Sequence, residues 1–322
     1  MIKYDLHVHT EFSSDSEEKV ENQLEEAISK GLKGVCITDH LDLEFPEKEA
    51  SGMDFLFDVD SYFEKLDRLR EAYKKKLKVF IGVEFGLRNE SDVLRKCMKG
   101  YRELVQKYGF DYVIGSTHCL EHCDPYYPKY WENRSSYDGL KKYFMAIRDN
   151  VASYADYDAL GHLDYLVRYV RQESVAKYLE TNEGINYVVE RDVVTPVIRN
   201  ADDFKYMGYD VKLSTEVINK YGYRPGDYTD ILDDILKMII RKEKALEINS
   251  AGLKYGIGFA HPKMEILRRY RELGGELITI GSDAHAASEL AYGFWNVYEL
   301  LENLGYKYYY VYKNRQPEGI LL

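Results

Sequence analysis

Two histidines one residue apart, in Asp5-Leu6-His7-Val8-His9-Thr10, are the first residues here whose types and spacing could do chemistry. On a strand, residues i and i+2 leave the same face, so His7 and His9 would point at one spot. Imidazole is the commonest protein ligand for zinc and related metals, and such a pair is half of a metal site. Alone it is equally two strand histidines that happen to alternate. The other histidines decide between these readings. Six of the eight histidines (His7, His9, His40, His118, His162 and His285) fall on or at the ends of apolar, strand-like runs. Asp15, Glu84 and Asp283 fall at equivalent places. Buried carboxylates and imidazoles at this density stay badly solvated unless cations neutralise them. Nine nitrogen and oxygen donors exceed the needs of one such ion. They suit two or three divalent ions sharing a bridging carboxylate, and a set without sulfur favours Zn, Fe or Mn. Cys119 and Cys123 lie beside His118 and His122, but their spacing is not that of a zinc knuckle.

The elements that must position these residues alternate along the chain. Strand-like runs end in His40, in Glu84 (Val79-Phe80-Ile81-Gly82-Val83-Glu84), in His118, in His162 and in the Asp283/His285 pair. A further run is Ala245-Leu246-Glu247-Ile248-Asn249. Between them, apolar residues at helical spacing (Val20/Leu24/Ala27, Tyr62/Leu66/Leu69, Leu94/Met98/Tyr101, Ile231/Ile235/Ile239, Ile266/Tyr270/Leu273 and Phe294/Val297/Leu301) predict helices, as does the pattern over 137–154. Seven apolar strands alternating with helices predict a parallel sheet with helices outside. A polar, ionisable residue at nearly every strand end requires those ends to converge. A closed barrel does this, whereas an open sheet makes a site only at its switch point. The expected fold is therefore α/β, a distorted seven-stranded (β/α)7 barrel with its site at the C-terminal strand ends. The chain is expected to be one barrel domain over 1–322, with a polar excursion at about 170–226. Residues 307–312, rich in tyrosine, read as a short closing strand.

Composition narrows the function class. The 322 residues are 45% hydrophobic and 31% charged, ordinary for a globular protein with a sizeable core. A net charge of −11 argues against sequence-independent nucleic-acid binding, which needs Lys and Arg on phosphates. No apolar run approaches the roughly 20 residues that span a bilayer. The chain enters a strand-like segment at once, with no signal-peptide pattern, and its four cysteines are scattered as reduced thiols would be. The expectation is a cytoplasmic protein acting on a small molecule, with neither nucleic acid nor membrane as partner.

The runs His7-Val8-His9-Thr10, Ser14-Asp15, Ile37-Thr38-Asp39-His40, Gly82-Val83-Glu84, Gly115-Ser116-Thr117-His118, Gly161-His162-Leu163-Asp164 and Gly281-Ser282-Asp283-Ala284-His285 together resemble the polymerase-and-histidinol-phosphatase (PHP) family. Residues 246–249 and 269–275 resemble its histidinol-phosphate phosphatase branch, and the likeness covers 1–169 and 227–305. The resemblance implies a trinuclear metal centre. His7, His9, Glu84 and Asp283 would hold one ion, and Glu84, His118 and His162 a second with Glu84 bridging. Asp15, His40 and His285 would hold the third. It also implies a metal-dependent phosphomonoesterase acting on a small phosphorylated substrate, L-histidinol phosphate, with Glu84, Asp283, His285 and Arg168 in the catalytic machinery. Within that chemistry Arg168 is the first candidate to grip the phosphate, Arg88 a weaker one, and Asn249 a pocket-lining residue. Asp39 and Asp164 are expected to orient the ligands beside them, and His122 and His261 to lie outside the constellation. Two alternatives remain open: a phosphoesterase of the same scaffold acting on nucleotides or other small esters, and a non-catalytic metal-binding module.

Overall fold

Strand β4 (Lys78–Gly86) shows how this sequence builds its sheet. Val79, Ile81, Val83 and Phe85 are buried with Val35 and Ile37 against Tyr62, Leu66 and Leu69 of one helix and Cys97 and Tyr101 of the next. The alternate residues Phe80, Gly82, Glu84 and Gly86 face the other way, because side chains switch faces at each step. Both faces are covered, so the strand reads as a continuous apolar run rather than an alternating one.

The computed structural model describes residues 1–46, 54–170, 187–190, 193–196, 223–255 and 257–322. In chain order the strands are β1 (Tyr4–Asp5), β2 (Gly34–Ile37), β3 (His40–Leu41), β4, β5 (Tyr112–Ser116), β6 (Ala159–Leu160), β7 (Tyr187–Glu190), β8 (Val193–Pro196), β9 (Ala245–Asn249), β10 (Ile278–Gly281), β11 (Tyr308–Lys313) and β12 (Gln316–Leu321). The main sheet is parallel in the order β1-β2-β4-β5-β6-β9-β10, with β3 pairing on β4 beyond β2. The ends of this path meet: Leu6 N donates to Ile280 O at 3.0 Å, Asp283 N to His7 O at 2.8 Å and His9 N to Ala284 O at 2.9 Å. These are the seven strands expected from sequence, closed into a barrel. The helices Val20–Ser29, Val59–Tyr73, Leu94–Lys107, Ser136–Ser153, Thr229–Arg241, Met264–Glu272 and Phe294–Asn303 answer to the apolar spacings read above.

The tail departs from expectation. Residues 308–313 do not close the barrel; β11 pairs antiparallel with β12 in a separate hairpin. Its turn is anchored where strands begin: Asn314 N donates to the Asp111 carboxylate at 3.1 Å, and Arg315 Nε to Asp158 at 2.6 Å. The Tyr312 ring lies 5.1 Å from that of Tyr112, centroid to centroid. The hairpin therefore packs against the N-terminal ends of the strands, away from the histidines. A barrel closed by seven parallel strands has no vacant edge for another, so the apolar face of the tail buries itself across that end instead. Of the excursion, the described parts are its two ends, 170 and 223–226, and the antiparallel pair β7–β8. No described helix is long and apolar enough to cross a membrane.

Candidate metal centre

Every strand that ends in an ionisable residue delivers it to the same place. Glu84 is fully buried. Its Oε1 lies 2.8 Å from His162 Nε2 and 3.2 Å from His118 Nε2. Its Oε2 lies 3.2 Å from His7 Nε2, 3.6 Å from His9 Nε2 and 2.9 Å from His40 Nδ1. The two oxygens of one carboxylate thus face two groups of imidazoles. Asp283 Oδ1 sits 3.2 Å from His9 Nε2 and 3.7 Å from His7 Nε2. Asp15 Oδ2 lies 3.2 Å from His285 Nε2 and 3.5 Å from His40 Nε2. The nine residues singled out in the sequence are one cluster.

The hydrogen bonds behind the cluster fix where the imidazole protons are. His7 Nδ1 is 2.5 Å from Glu247 Oε1, a buried carboxylate that accepts only, so Nδ1 carries the hydrogen and Nε2 the lone pair. Ser13 Oγ donates to Asp39 at 2.8 Å and accepts from His40 N at 3.0 Å. It therefore accepts from His9 Nδ1 at 3.0 Å, which leaves His9 Nε2 bare as well. His118 Nδ1 donates to Asp42 at 2.7 Å and His285 Nδ1 to the Asp283 carbonyl at 3.0 Å. Four imidazoles consequently aim lone pairs at carboxylate oxygens and at each other; His7 Nε2 and His9 Nε2 are 3.0 Å apart. Glu84 Oε2 and His40 Nδ1 are buried with no hydrogen-bond partner. Lone pairs converging on carboxylates in a dry site repel unless cations stand between them. Several sets of three donors lie within 4.8 Å of one another, among them His7/His9/Glu84, His40/Glu84/His118 and His9/His40/His285. The residues present fit divalent ions, and the outward imidazole hydrogens on carboxylate, hydroxyl and carbonyl are the usual backing of metal-binding histidines.

The electrostatics express the same conflict. Burial pulls His7 down, yet Glu247, Glu84 and Asp283 override it and hold its pKa well above the ordinary value. Its neighbour His9 is pushed down to about 3 by burial and by His285 and His40. Burial alone would raise Glu84, but His7, His40 and His118 hold it well below the carboxylate range. Against the pull of burial, Asp42 and Glu84 push His118 up to about 10. Without divalent charge, protons on His7 and His118 would neutralise these carboxylates instead, occupying the Nε2 lone pairs that ligation uses.

Glycines make the room. A Cβ on Gly281 would sit 2.2 Å from His7 Cβ and 2.9 Å from Glu247 Oε1, so only glycine lets β10 approach the first ligand pair. On Gly86 it would lie 2.3 Å from the Asp42 carboxylate that backs His118.

A cavity of about 620 Å³ opens over the cluster, lined by Asp15, His40, His118, His162, Asp283 and His285 on one side. Phe45, Phe55, Asp42, Asp124, Tyr126, Tyr127, Tyr165, Arg168, Tyr169 and Tyr255 supply the rest of its lining. The Arg168 guanidinium stacks 4.0 Å from the Tyr255 ring centroid and 4.6 Å from that of Tyr169. Among the described residues it has no ion-pair partner.

Three of the expectations drawn from sequence change in the structure. Arg88 does not line the cavity: it is 2% exposed, its Nε and Nη2 hold the two Glu90 oxygens at 3.0 and 2.9 Å, and its Nη1 meets the Glu44 carbonyl. A guanidinium so committed is a structural tie rather than a phosphate grip. Asn249 is fully buried and donates to Asp283 Oδ2 at 3.2 Å, which places it behind the ligand, not on the cavity wall. Asp164 orients His261 and Lys263 N rather than its neighbour His162, with Tyr223 adding a third hydrogen bond. Asp39 does back the ligands, through Ser13 and Thr10. Sequence reasoning missed Glu247 and Asp42. An acid in a buried strand, and an acid two residues after His40 on the same face, were the available signals. His122 is exposed near Asp92, and His261 lies outside the cluster. Among the described residues no cysteine joins a metal-competent group.

Fold and site together define a class: a parallel α/β barrel whose C-terminal strand ends bring together a cluster of histidines and carboxylates fit for divalent metal. Residues 5–192 match the family model described as PHP domain. The chain belongs to the PHP family. It is 30% identical to the probable histidinol-phosphatase of Clostridium acetobutylicum over 304 residues, 94% of each chain. It is 30% identical to the histidinol-phosphatase of Lactococcus lactis, over 89% of this chain and 86% of the other. The crystal structure of histidinol phosphate phosphatase from L. lactis, complexed with zinc, L-histidinol and phosphate, superposes with a TM-score of 0.75 at 25% identity, covering 98% of both chains.

Proposed function

We propose that this protein is a metal-dependent phosphomonoesterase that hydrolyses L-histidinol phosphate to L-histidinol and phosphate. The observation that carries the reading is Glu84, buried between two groups of imidazoles, of which His40, His118 and His162 line a cavity with Arg168 in its wall. The likeness to the zinc-, histidinol- and phosphate-bound L. lactis enzyme along almost the whole chain supports the substrate.

Two or three ions fit the donor set: His7, His9, Glu84 and Asp283 for one, Glu84, His118 and His162 for a second, and Asp15, His40 and His285 for a third. Zinc is the first choice, with manganese or iron compatible with the same nitrogen and oxygen donors. When bound, such ions neutralise phosphoryl oxygens and lower the pKa of water towards neutrality. The chain's own residues do the remaining work. Glu84 fixes the spacing of two ligand groups, and Asp283 and His285 complete the floor beneath the phosphoryl group. Arg168, its plane set by Tyr255 and Tyr169, offers the phosphate two parallel N–H donors. The tyrosine-rich wall shields one side of the cavity from bulk water, which strengthens the interactions on that side. We place the reaction in histidine biosynthesis, in the cytoplasm, where the buried thiols Cys36, Cys97 and Cys119 stay reduced. The intact ligand set speaks against a non-catalytic module.

A phosphate-release panel tests the substrate. L-histidinol phosphate should exceed p-nitrophenyl phosphate and nucleoside monophosphates in kcat/KM by at least tenfold. Comparable values on all of them would favour a general phosphoesterase.

A further inference from the structure

The turn after β10 carries two of the nine cluster residues, Asp283 and His285, on an unusual backbone. Asp283 has a φ of 55°, in the left-handed region. A residue other than glycine stays there only when its surroundings hold it. Here those surroundings form a closed ring of hydrogen bonds. His285 Nδ1 donates to the Asp283 carbonyl at 3.0 Å, and His285 N donates to Glu289 Oε2 at 3.1 Å. Lys254, the last residue of the short helix Ala251–Lys254 after β9, joins the two acceptors. Its Nζ donates to Glu289 Oε2 at 2.7 Å and to the Asp283 carbonyl at 3.4 Å. The Lys254 side chain is mostly buried and does not line the cavity, so it meets the turn from behind. An ammonium beside cation sites costs Coulomb energy unless an acid offsets it, and Glu289 does so.

We infer that Lys254 is a positioning residue for the metal centre, holding the Asp283–His285 turn through the Asp283 carbonyl and through Glu289 so that His285 Nε2 faces Asp15. This rests on the metal-dependent reading proposed above and adds what fixes one of its ligand sets. Asp15, His40 and His285 have the most exposed side chains of the three sets, so packing constrains them least and hydrogen bonds matter most. The oxygen that takes the His285 ring proton is the same one that Lys254 holds. Released from Lys254, that carbonyl no longer fixes which imidazole nitrogen keeps the lone pair for an ion. The same helix end reaches further: Tyr255, the next residue, carries the Arg168 guanidinium on its ring. One short element thus sets both the ligand turn and the arginine above it.

The test loads the unaltered protein and Lys254→Met with zinc, titrates each with a competing chelator and counts the zinc that remains. Methionine keeps an apolar stem of similar length and drops the ammonium. Lys254→Met should release one ion per chain about tenfold more readily and the others within about threefold of the unaltered protein. Excess zinc should bring its kcat on histidinol phosphate back to within about threefold, a recovery that general damage to the barrel would not show. Lys254→Arg keeps a cation able to reach both acceptors and should hold zinc within about threefold. Glu289→Gln should loosen the same ion, and the double variant should be no more than about threefold worse than the weaker single variant. Zinc held equally by Lys254→Met and the unaltered protein would overturn the assignment. So would an equal loss in Lys254→Arg, losses that multiply in the double variant, or lost activity that excess zinc does not restore. If the unaltered protein binds zinc yet leaves histidinol phosphate intact, the proposed function fails, and the chelator titration alone still decides the role of Lys254.

Discussion

Replacing Glu247 with glutamine exchanges one oxygen for an NH2 group behind the cluster, where every hydrogen bond is already assigned. The Glu247 carboxylate accepts from His7 Nδ1 at 2.5 Å through Oε1, and from His162 N at 2.8 Å and Asn249 Nδ2 at 3.5 Å through Oε2. All of these groups are buried. An amide has a single oxygen for these two sides. With that oxygen towards His7, its NH2 confronts the His162 N–H, donor against donor. With the oxygen towards His162, the NH2 donates to His7 Nδ1. The proton then moves to Nε2, and the lone pair aimed into the cluster is lost. Either arrangement leaves a buried group mismatched, at a cost of about 1–3 kcal/mol. Outer partners of metal-binding histidines typically carry about 10- to 100-fold in metal affinity or activity. Glu247→Gln should therefore lose metal about 10- to 100-fold more readily on titration with a competing chelator. Its far-UV circular dichroism should stay unchanged. Wild-type metal retention together with wild-type activity would refute the proton assignment at His7 and the positioning role built on it.

Glu84→Ala should empty more than one site, because one carboxylate serves two imidazole groups; elemental analysis showing an undiminished metal count would remove the bridging role. Arg168→Ala should raise KM for phosphate esters about 10- to 100-fold with a smaller effect on kcat, as read from steady-state kinetics on histidinol phosphate. Away from the site, Arg269 holds Asp233 through two hydrogen bonds of 2.8 and 2.7 Å, and with Lys237 lowers its pKa to about 2. A depressed carboxylate stabilises the fold above its unfolded pKa and ceases to as pH falls through the folded one. The stability gap between the unaltered protein and Asp233→Asn should therefore be constant near neutrality and close between about pH 4 and pH 2. A gap in urea unfolding that widens on acidification would contradict this.

The centre is legible in the sequence because its ligands interrupt apolar strands. His40, Glu84, His118, His162 and Asp283 stand out where a buried run would otherwise continue, and that also points to a barrel. The groups behind the ligands are harder to see. Glu247 sits inside a strand, and its partner His7 is 240 positions earlier, a pairing that only closure of β10 onto residues 6–9 creates. Asp42 repeats the spacing of His7 and His9 relative to His40, so the same-face rule could have found it. Arg88 misleads because sequence distance from Glu84 says nothing about Glu90 capturing its guanidinium two residues on. The tail is a strand, as its local pattern suggests. Its partner, β12, lies in a stretch containing Pro317 and Gly319, residues that argue against a strand.

Under the proposed function, ions held by these nine residues make the hydrolysis of histidinol phosphate possible. The direct measurement is phosphate release from L-histidinol phosphate, with metals counted in the same samples before chelation, after it, and after readdition of zinc or manganese. The structure predicts two to three ions per chain, activity lost with them, and activity restored on readdition. Turnover that persists once the ions are gone would contradict it.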